Sequence, residues 1–268
     1  MKSEAFCCRE NNYRKFGREP NQTPKMESQF YVQQIVSDPI FNVETCTLEN
    51  GLKVLFNKDP KSKKVYLNVY VKSGAVDDPP GKKGLAHLYE HLALRKGEGN
   101  SFFRGMDNIG MYYNARTAYD YMFFRSEGPG VHFHKSLELE SLRFGKVHEG
   151  LSQNSIDNEI EIIRSEALES YKNPIGCLDS IIRKSLFIQP EPYAWDILGD
   201  YCDLRSVKVH DIEQYGQQHF SPDNTVIFSF PYNPKIFRKS MTLISKLFRI
   251  SRFRQLQNYK SQKSKSCY

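Results

Sequence analysis

The chain has 268 residues, of which 39% are hydrophobic and 26% are charged, so a fibrous or wholly disordered protein is excluded. The formal net charge is +7, but residues 235–268 contain ten Lys or Arg and no Asp or Glu, which leaves residues 1–234 with a net −3. A nucleic-acid enzyme normally carries its positive charge on the folded body, and this distribution argues against that class.

Residues 1–40 are polar and contain three prolines, and we expect a poorly ordered extension here. Its first 20 positions include basic residues without a following apolar run, so no secretory signal is predicted. Nowhere does the sequence approach the roughly 20 apolar residues that cross a bilayer, so we expect no membrane span. The six cysteines follow no metal-binding or disulfide spacing, and free thiols in the cytoplasm are predicted.

The folded domain is predicted over residues 41–250, followed by a basic, disordered tail over residues 251–268. Ser206 is the predicted N-cap of a late helix. Strands and helices come in groups, so the predicted fold class is α+β, with a mainly antiparallel sheet and helices packed on one face. Strands are predicted at residues 41–47, 51–57, 65–71, 111–118, 120–126 and 225–230, and helices at residues 85–94, 101–109, 131–147, 155–171, 175–187, 206–219 and 235–250.

The most informative motif is His-Leu-Tyr-Glu-His at residues 87–91. On a helix, His87 and His91 lie about 40° apart, and Glu90 falls on the same side. Two imidazoles in this arrangement can bind one metal ion, and the carboxylate between them can reach a water molecule at that ion. A surface helix can carry this pattern by chance, so the metal hypothesis also predicts a third protein ligand elsewhere.

The predicted helix at residues 155–171 offers four glutamates as that third ligand. Glu159 and Glu166 are seven residues apart and therefore share a face, where one can bind the metal and the other can orient a ligand. Glu161 and Glu169 are interpreted as solvated surface charges.

The motif order His-x-x-Glu-His is the inverse of the commoner zinc-protease motif. Together with the approach at residues 74–87 and the distal glutamates before Asn173-Pro174, it resembles the M16 peptidases, which include pitrilysin, insulysin and the mitochondrial processing peptidase. The resemblance covers about residues 41–250, with several segments in the same order, and implies an M16-like metallopeptidase domain.

This resemblance implies one zinc ion per chain. The implied ligands are His87, His91 and Glu166, with Glu90 as the catalytic base and Glu159 supporting the site from behind.

The segment at residues 114–117 resembles the edge strand along which this family binds an extended peptide as an added strand. Asn114 and Ala115 are therefore predicted to bind substrate, and the predicted activity is that of a zinc metalloendopeptidase.

Family members usually build the working peptidase from two homologous halves, and this chain resembles one of them. We expect a homologous partner subunit or a homodimer to supply the other half, unless the chain is a truncated product. An alternative is a non-catalytic subunit that scaffolds the complex or presents substrate. A third hypothesis, nucleic-acid binding through the tail at residues 251–268, is disfavoured by the acidic body.

Overall fold

A computed structural model describes residues 32–38, 43–57, 61–95, 101–144, 147–188, 191–230 and Ile244. Within these ranges the chain forms seven strands and seven α-helices. The strands are β1 (Val32–Asp38), β2 (Val43–Leu48), β3 (Lys53–Asn57), β4 (Lys64–Val71), β5 (Tyr112–Thr117), β6 (Met122–Pro129) and β7 (Thr225–Phe230), and the helices are α1 (Leu85–Leu94), α2 (Ser101–Asn108), α3 (Phe133–Arg143), α4 (Gln153–Lys172), α5 (Pro174–Leu186), α6 (Tyr201–Arg205) and α7 (Val209–His219).

All seven strands form one sheet in the order β1-β2-β3-β7-β4-β6-β5. Every pairing is antiparallel except that of β3 with β7. In β4 the side chains alternate between buried Val65, Leu67, Val69 and Val71 and more exposed neighbours, as expected when one face of a sheet is covered. These buried residues join those of α1, α3 and α4 in one core, which confirms the predicted α+β class.

The structure differs from the predicted boundaries at three places. The sheet begins before residue 41, because β1 lies within the predicted extension and pairs with β2 from Val32 to Asp38. The two adjacent glutamines of β1 interrupt the alternation of apolar and polar residues by which a strand is predicted. Backbone pairing with β2 does not depend on the type of side chain, so the strand forms nevertheless. Residues 1–31 lie outside the described ranges.

The predicted helix at residues 206–219 begins later, at Val209 of α7, and Ser206 is not its N-cap. Ser206 instead ends α6, where its hydroxyl donates to the Asp203 carbonyl at 2.6 Å. Asp200 caps α6 by accepting the N–H groups of Cys202 and Asp203. The predicted helix at residues 131–147 is also shorter, since α3 ends at Arg143.

The start of α1 is fixed by a buried carboxylate. Asp78 is 7% exposed, and its two oxygens accept the N–H groups of Gly84 and Ala86, each at 2.7 Å. Gly84 adopts φ +94°, a conformation that costs glycine little, and a Cβ there would lie 2.9 Å from Gly199 Cα. These contacts fix the residue at which α1 begins, and therefore the direction in which its side chains point.

None of the described helices is both long and apolar enough to cross a membrane. The predicted helix at residues 235–250 lies outside the described ranges except for Ile244, which is helical and fully buried. The predicted tail at residues 251–268 lies outside them entirely.

Candidate metal centre

The α1 helix presents its two histidines side by side. The ring centroids of His87 and His91 are 4.6 Å apart, and both side chains are largely buried, at 12% and 14% exposed. The rest of α1 is held by apolar packing, since Leu85, Leu88 and Leu92 are at most 2% exposed. The periodicity of one buried helix therefore positions both imidazoles.

The α4 helix brings Glu166 to these histidines. Ser152 begins α4 by accepting the Ser155 N–H at 3.1 Å, and a buried stripe of isoleucines at positions 156, 160 and 163 seats the helix on the core. Glu166 Oε2 then lies 3.9 Å from His87 Nε2 and 3.5 Å from His91 Nε2. Candidate donor atoms of the three residues all fall within 4.8 Å of one another.

Glu159 lies behind His91 rather than at the three donors. Its Oε2 is 3.4 Å from His91 Nδ1, and its Oε1 accepts from Arg95 Nε at 2.6 Å. Glu159 is only 5% exposed, so this charge is compensated within the protein. A proton on Nδ1 would complete the contact and leave the Nε2 lone pair directed toward Glu166.

Glu90 is held by a residue to which the sequence assigned no role. Thr117, the last residue of β5, donates its hydroxyl to Glu90 Oε2 at 2.6 Å. Glu90 is 5% exposed, and burial raises its pKa, while the Thr117 hydrogen bond and the charge of His91 oppose the rise. Thr117 lies within the segment resembling an edge strand, but only the packing of β5 against α1 reveals its contact. The role of Arg95 was likewise not predicted.

The two histidines differ in their electrostatic surroundings. Burial lowers the pKa of His87 to about 3, with a further contribution from His91, so the His87 ring is neutral near pH 7. Burial also lowers the pKa of His91, but the Glu159 hydrogen bond and the charges of Glu166 and Glu90 outweigh it and raise that pKa. A metal ion requires neutral imidazole ligands, and would therefore displace any proton from His91 Nε2.

This donor set fits zinc. Zinc binds imidazole nitrogen and carboxylate oxygen at about 2.0–2.2 Å in a tetrahedron, which separates any two donors by about 3.4 Å. The 3.5 and 3.9 Å distances at Glu166 Oε2 are close to that value. The Glu166 side chain is 45% exposed, so the site is open on that side, as a catalytic position for water requires.

The predicted substrate-binding residues lie on β5, which ends the sheet order next to β6. Asn114 is exposed and Ala115 is half-buried. The Asn114 side-chain oxygen accepts the Ala115 N–H at 2.8 Å, so this N–H is satisfied locally rather than by another strand among the described residues.

The comparisons with known proteins agree with this geometry. Residues 53–185 match the family model Insulinase (Peptidase family M16). The zinc protease PqqE of Helicobacter pylori is 25% identical over 189 residues, which are 69% of this chain and 42% of that protein. The mitochondrial-processing peptidase subunit beta of Saccharomyces cerevisiae is 24% identical over 199 residues, covering 72% of this chain and 42% of that one.

Solved structures share the fold. A protease from Helicobacter pylori superposes with a TM-score of 0.69 at 25% identity, covering 77% of this chain and 49% of that one. The first half of the periplasmic protease PqqL from Escherichia coli gives 0.68 at 17% identity, covering 80% and 47%, and supports the fold alone. The chain spans about half the length of these relatives. The chain therefore carries an M16 peptidase domain of the insulinase family, matched over residues 53–185.

Proposed function

We propose that this domain is a zinc-dependent metalloendopeptidase that hydrolyses peptide bonds in extended peptides. The observation that carries the proposal is the convergence of His87, His91 and Glu166 from two helices, beside the buried carboxylate of Glu90. A structural ion-pair cluster would not need two imidazoles facing one carboxylate oxygen with an acid held beside them.

Each residue then has a separate role. His87, His91 and Glu166 would hold one zinc ion, which when bound polarises a peptide carbonyl and acidifies water. Glu90 accepts the proton from the attacking water, and later returns it to the leaving amine. Thr117 keeps one Glu90 oxygen fixed through its 2.6 Å hydrogen bond, which leaves the other oxygen to move the proton. Glu159 orients His91.

The substrate would lie along β5 as an added strand. The Ala115 N–H would then bond to a peptide carbonyl after the Asn114 side chain turns aside. Recognition through backbone groups requires an extended peptide but leaves its sequence largely open.

Two measurements test the proposal. Elemental analysis of the purified chain should find about one zinc per chain. Glu90→Gln should keep that zinc and lower peptide hydrolysis about 10²–10⁴-fold, because the amide cannot accept the proton. Glu161→Gln is the matched control, since Glu161 is exposed on the outer side of α4. Loss of zinc in Glu90→Gln, or full activity without the carboxylate, would contradict the assignment.

A partner half belongs to the same proposal, because one relative, the mitochondrial-processing peptidase subunit beta of Saccharomyces cerevisiae, is named as a subunit. The alternative is a non-catalytic subunit that presents substrate to an active partner. In a reconstituted mixture, Glu90→Gln would leave activity intact for such a subunit and abolish it for the catalytic one. A cytoplasmic location stays a prediction from the sequence.

A further inference from the structure

The two faces of β5 have different surroundings. Thr117 donates its hydroxyl to Glu90 of α1, which places this side chain on the face toward the helices. Tyr113 lies on the same face and stacks on Phe103 of α2, with ring centroids 5.0 Å apart. Side chains alternate along a strand, and Arg116 therefore projects from the opposite face. Arg116 is exposed and is the only charged residue of β5.

The Arg116 guanidinium has no acidic partner within the described part of the chain. Strand β6 and the turn that joins it to β5 supply two carboxylates, and both are engaged elsewhere. Glu127 pairs with Arg125, and Asp120 accepts a hydrogen bond from the Tyr193 hydroxyl at 2.6 Å. The positive charge of Arg116 is therefore available to a molecule that binds along β5.

The register of β5 places Arg116 close to the bond that would be cut. The Ala115 N–H bonds to the Asn114 side-chain oxygen and not to β6, so an added antiparallel strand would pair with Ala115. The peptide residue opposite Arg116 would then have its Cβ roughly 4.5–5.5 Å from the Arg116 Cβ, on the same face. Since Thr117 holds Glu90, this peptide residue lies within about two positions of the bond hydrolysed with Glu90 as base, at about 3.3 Å per position.

We propose that Arg116 selects peptides that carry an Asp or Glu side chain close to the cleaved bond. The inference names a substrate class for the proposed function and rests on it. Opposite charges on facing strand positions attract and like charges repel, whereas an exposed ion pair by itself is weak. Attraction of an acid and repulsion of a base together favour the acidic residue roughly 2–30-fold.

The test is an affinity selection from a random peptide display library on the immobilised full chain carrying Glu90→Gln, so that bound peptides are not cut. Asp and Glu should be enriched over Lys and Arg roughly 2–30-fold at one position of the aligned peptides. Adding Arg116→Glu should invert the preference at that position, and a gain of basic preference cannot result from misfolding. Lys53→Glu is the matched control and should keep the acidic preference. It makes the same charge change at an exposed position of β3, which the sheet order separates from β5 by three strands.

The role of Arg116 would be overturned by selected peptides without a charge preference, by an acidic preference that survives Arg116→Glu, or by an equal inversion in Lys53→Glu. A chain that selects no peptide would overturn it too, since β5 then accepts no added strand. Incubating the selected peptides with the wild type tests the proposed function separately. Peptides that bind with the acidic preference but are never cut contradict only the hydrolase, whereas cutting irrespective of charge contradicts only the role of Arg116.

Discussion

Replacing Glu159 with Gln tests the metal site without any substrate. Glu159 contacts His91 Nδ1 at 3.4 Å and Arg95 Nε at 2.6 Å, but does not belong to the three converging donors. The amide keeps the shape of the side chain and removes its charge. His91 would then lose the anion that orients its ring and makes Nε2 a stronger donor.

The expected loss is 10–100-fold in zinc affinity, the usual effect of removing a group that supports a metal ligand from behind. This corresponds to about 1.4–2.7 kcal/mol. Arg95 adds little to the loss, because its side chain is 42% exposed and water can replace the carboxylate. The assay is a competitive zinc titration of the purified chain against a chromogenic chelator.

Glu161→Gln is the control, because Glu161 lies on the same helix but bonds to Tyr201 and Arg164 at the surface. Its zinc affinity should equal that of the wild type. Wild-type affinity in Glu159→Gln would refute the orienting role, whereas a complete loss of zinc would mean that Glu159 itself binds the metal.

Three further predictions concern Thr117, Asp78 and His219. Thr117→Val removes the hydrogen bond that the Thr117 hydroxyl donates to the buried Glu90 carboxylate, and should lower the free energy of unfolding in urea by about 1–3 kcal/mol. The value of kcat/KM should fall as well, and unchanged values of both would show that the hydrogen bond is dispensable. Asp78→Ala removes two 2.7 Å hydrogen bonds at the start of α1, and should lower the free energy of unfolding by about 2–4 kcal/mol and weaken zinc binding. Unchanged zinc binding would mean that packing alone positions α1. Burial lowers the pKa of His219, and the nearby charge of Asp77 opposes this shift. The neutral His219 ring therefore stabilises the fold above its ordinary pKa of 6.5, and this stability is lost as the pH falls. His219→Gln should flatten that acid limb in urea midpoints measured from pH 8 to 5, and an unchanged limb would exclude His219 as its source.

Local periodicity made part of the site predictable from the sequence. His87, Glu90 and His91 needed only the geometry of a single helix, and α4, which spans Gln153–Lys172, is only slightly longer than the helix predicted at residues 155–171. The hairpin of β2 and β3 and the class of the fold followed from alternation and grouping in the same way. The resemblance to a known family then chose Glu166 over Glu159 as the proposed ligand.

The sequence by itself determined which side chains share one face of one element, because helical and strand periods are local properties. Only the tertiary structure decided which faces meet: Glu166 reaches the histidines because α4 packs on α1, and Thr117 reaches Glu90 because β5 ends beside that helix. The same packing paired β1 at the sheet edge, where the sequence predicted a poorly ordered extension, and left apolar residues of α5 exposed. Such contacts join residues far apart in the chain, so their geometry depends on the whole core rather than on any one segment.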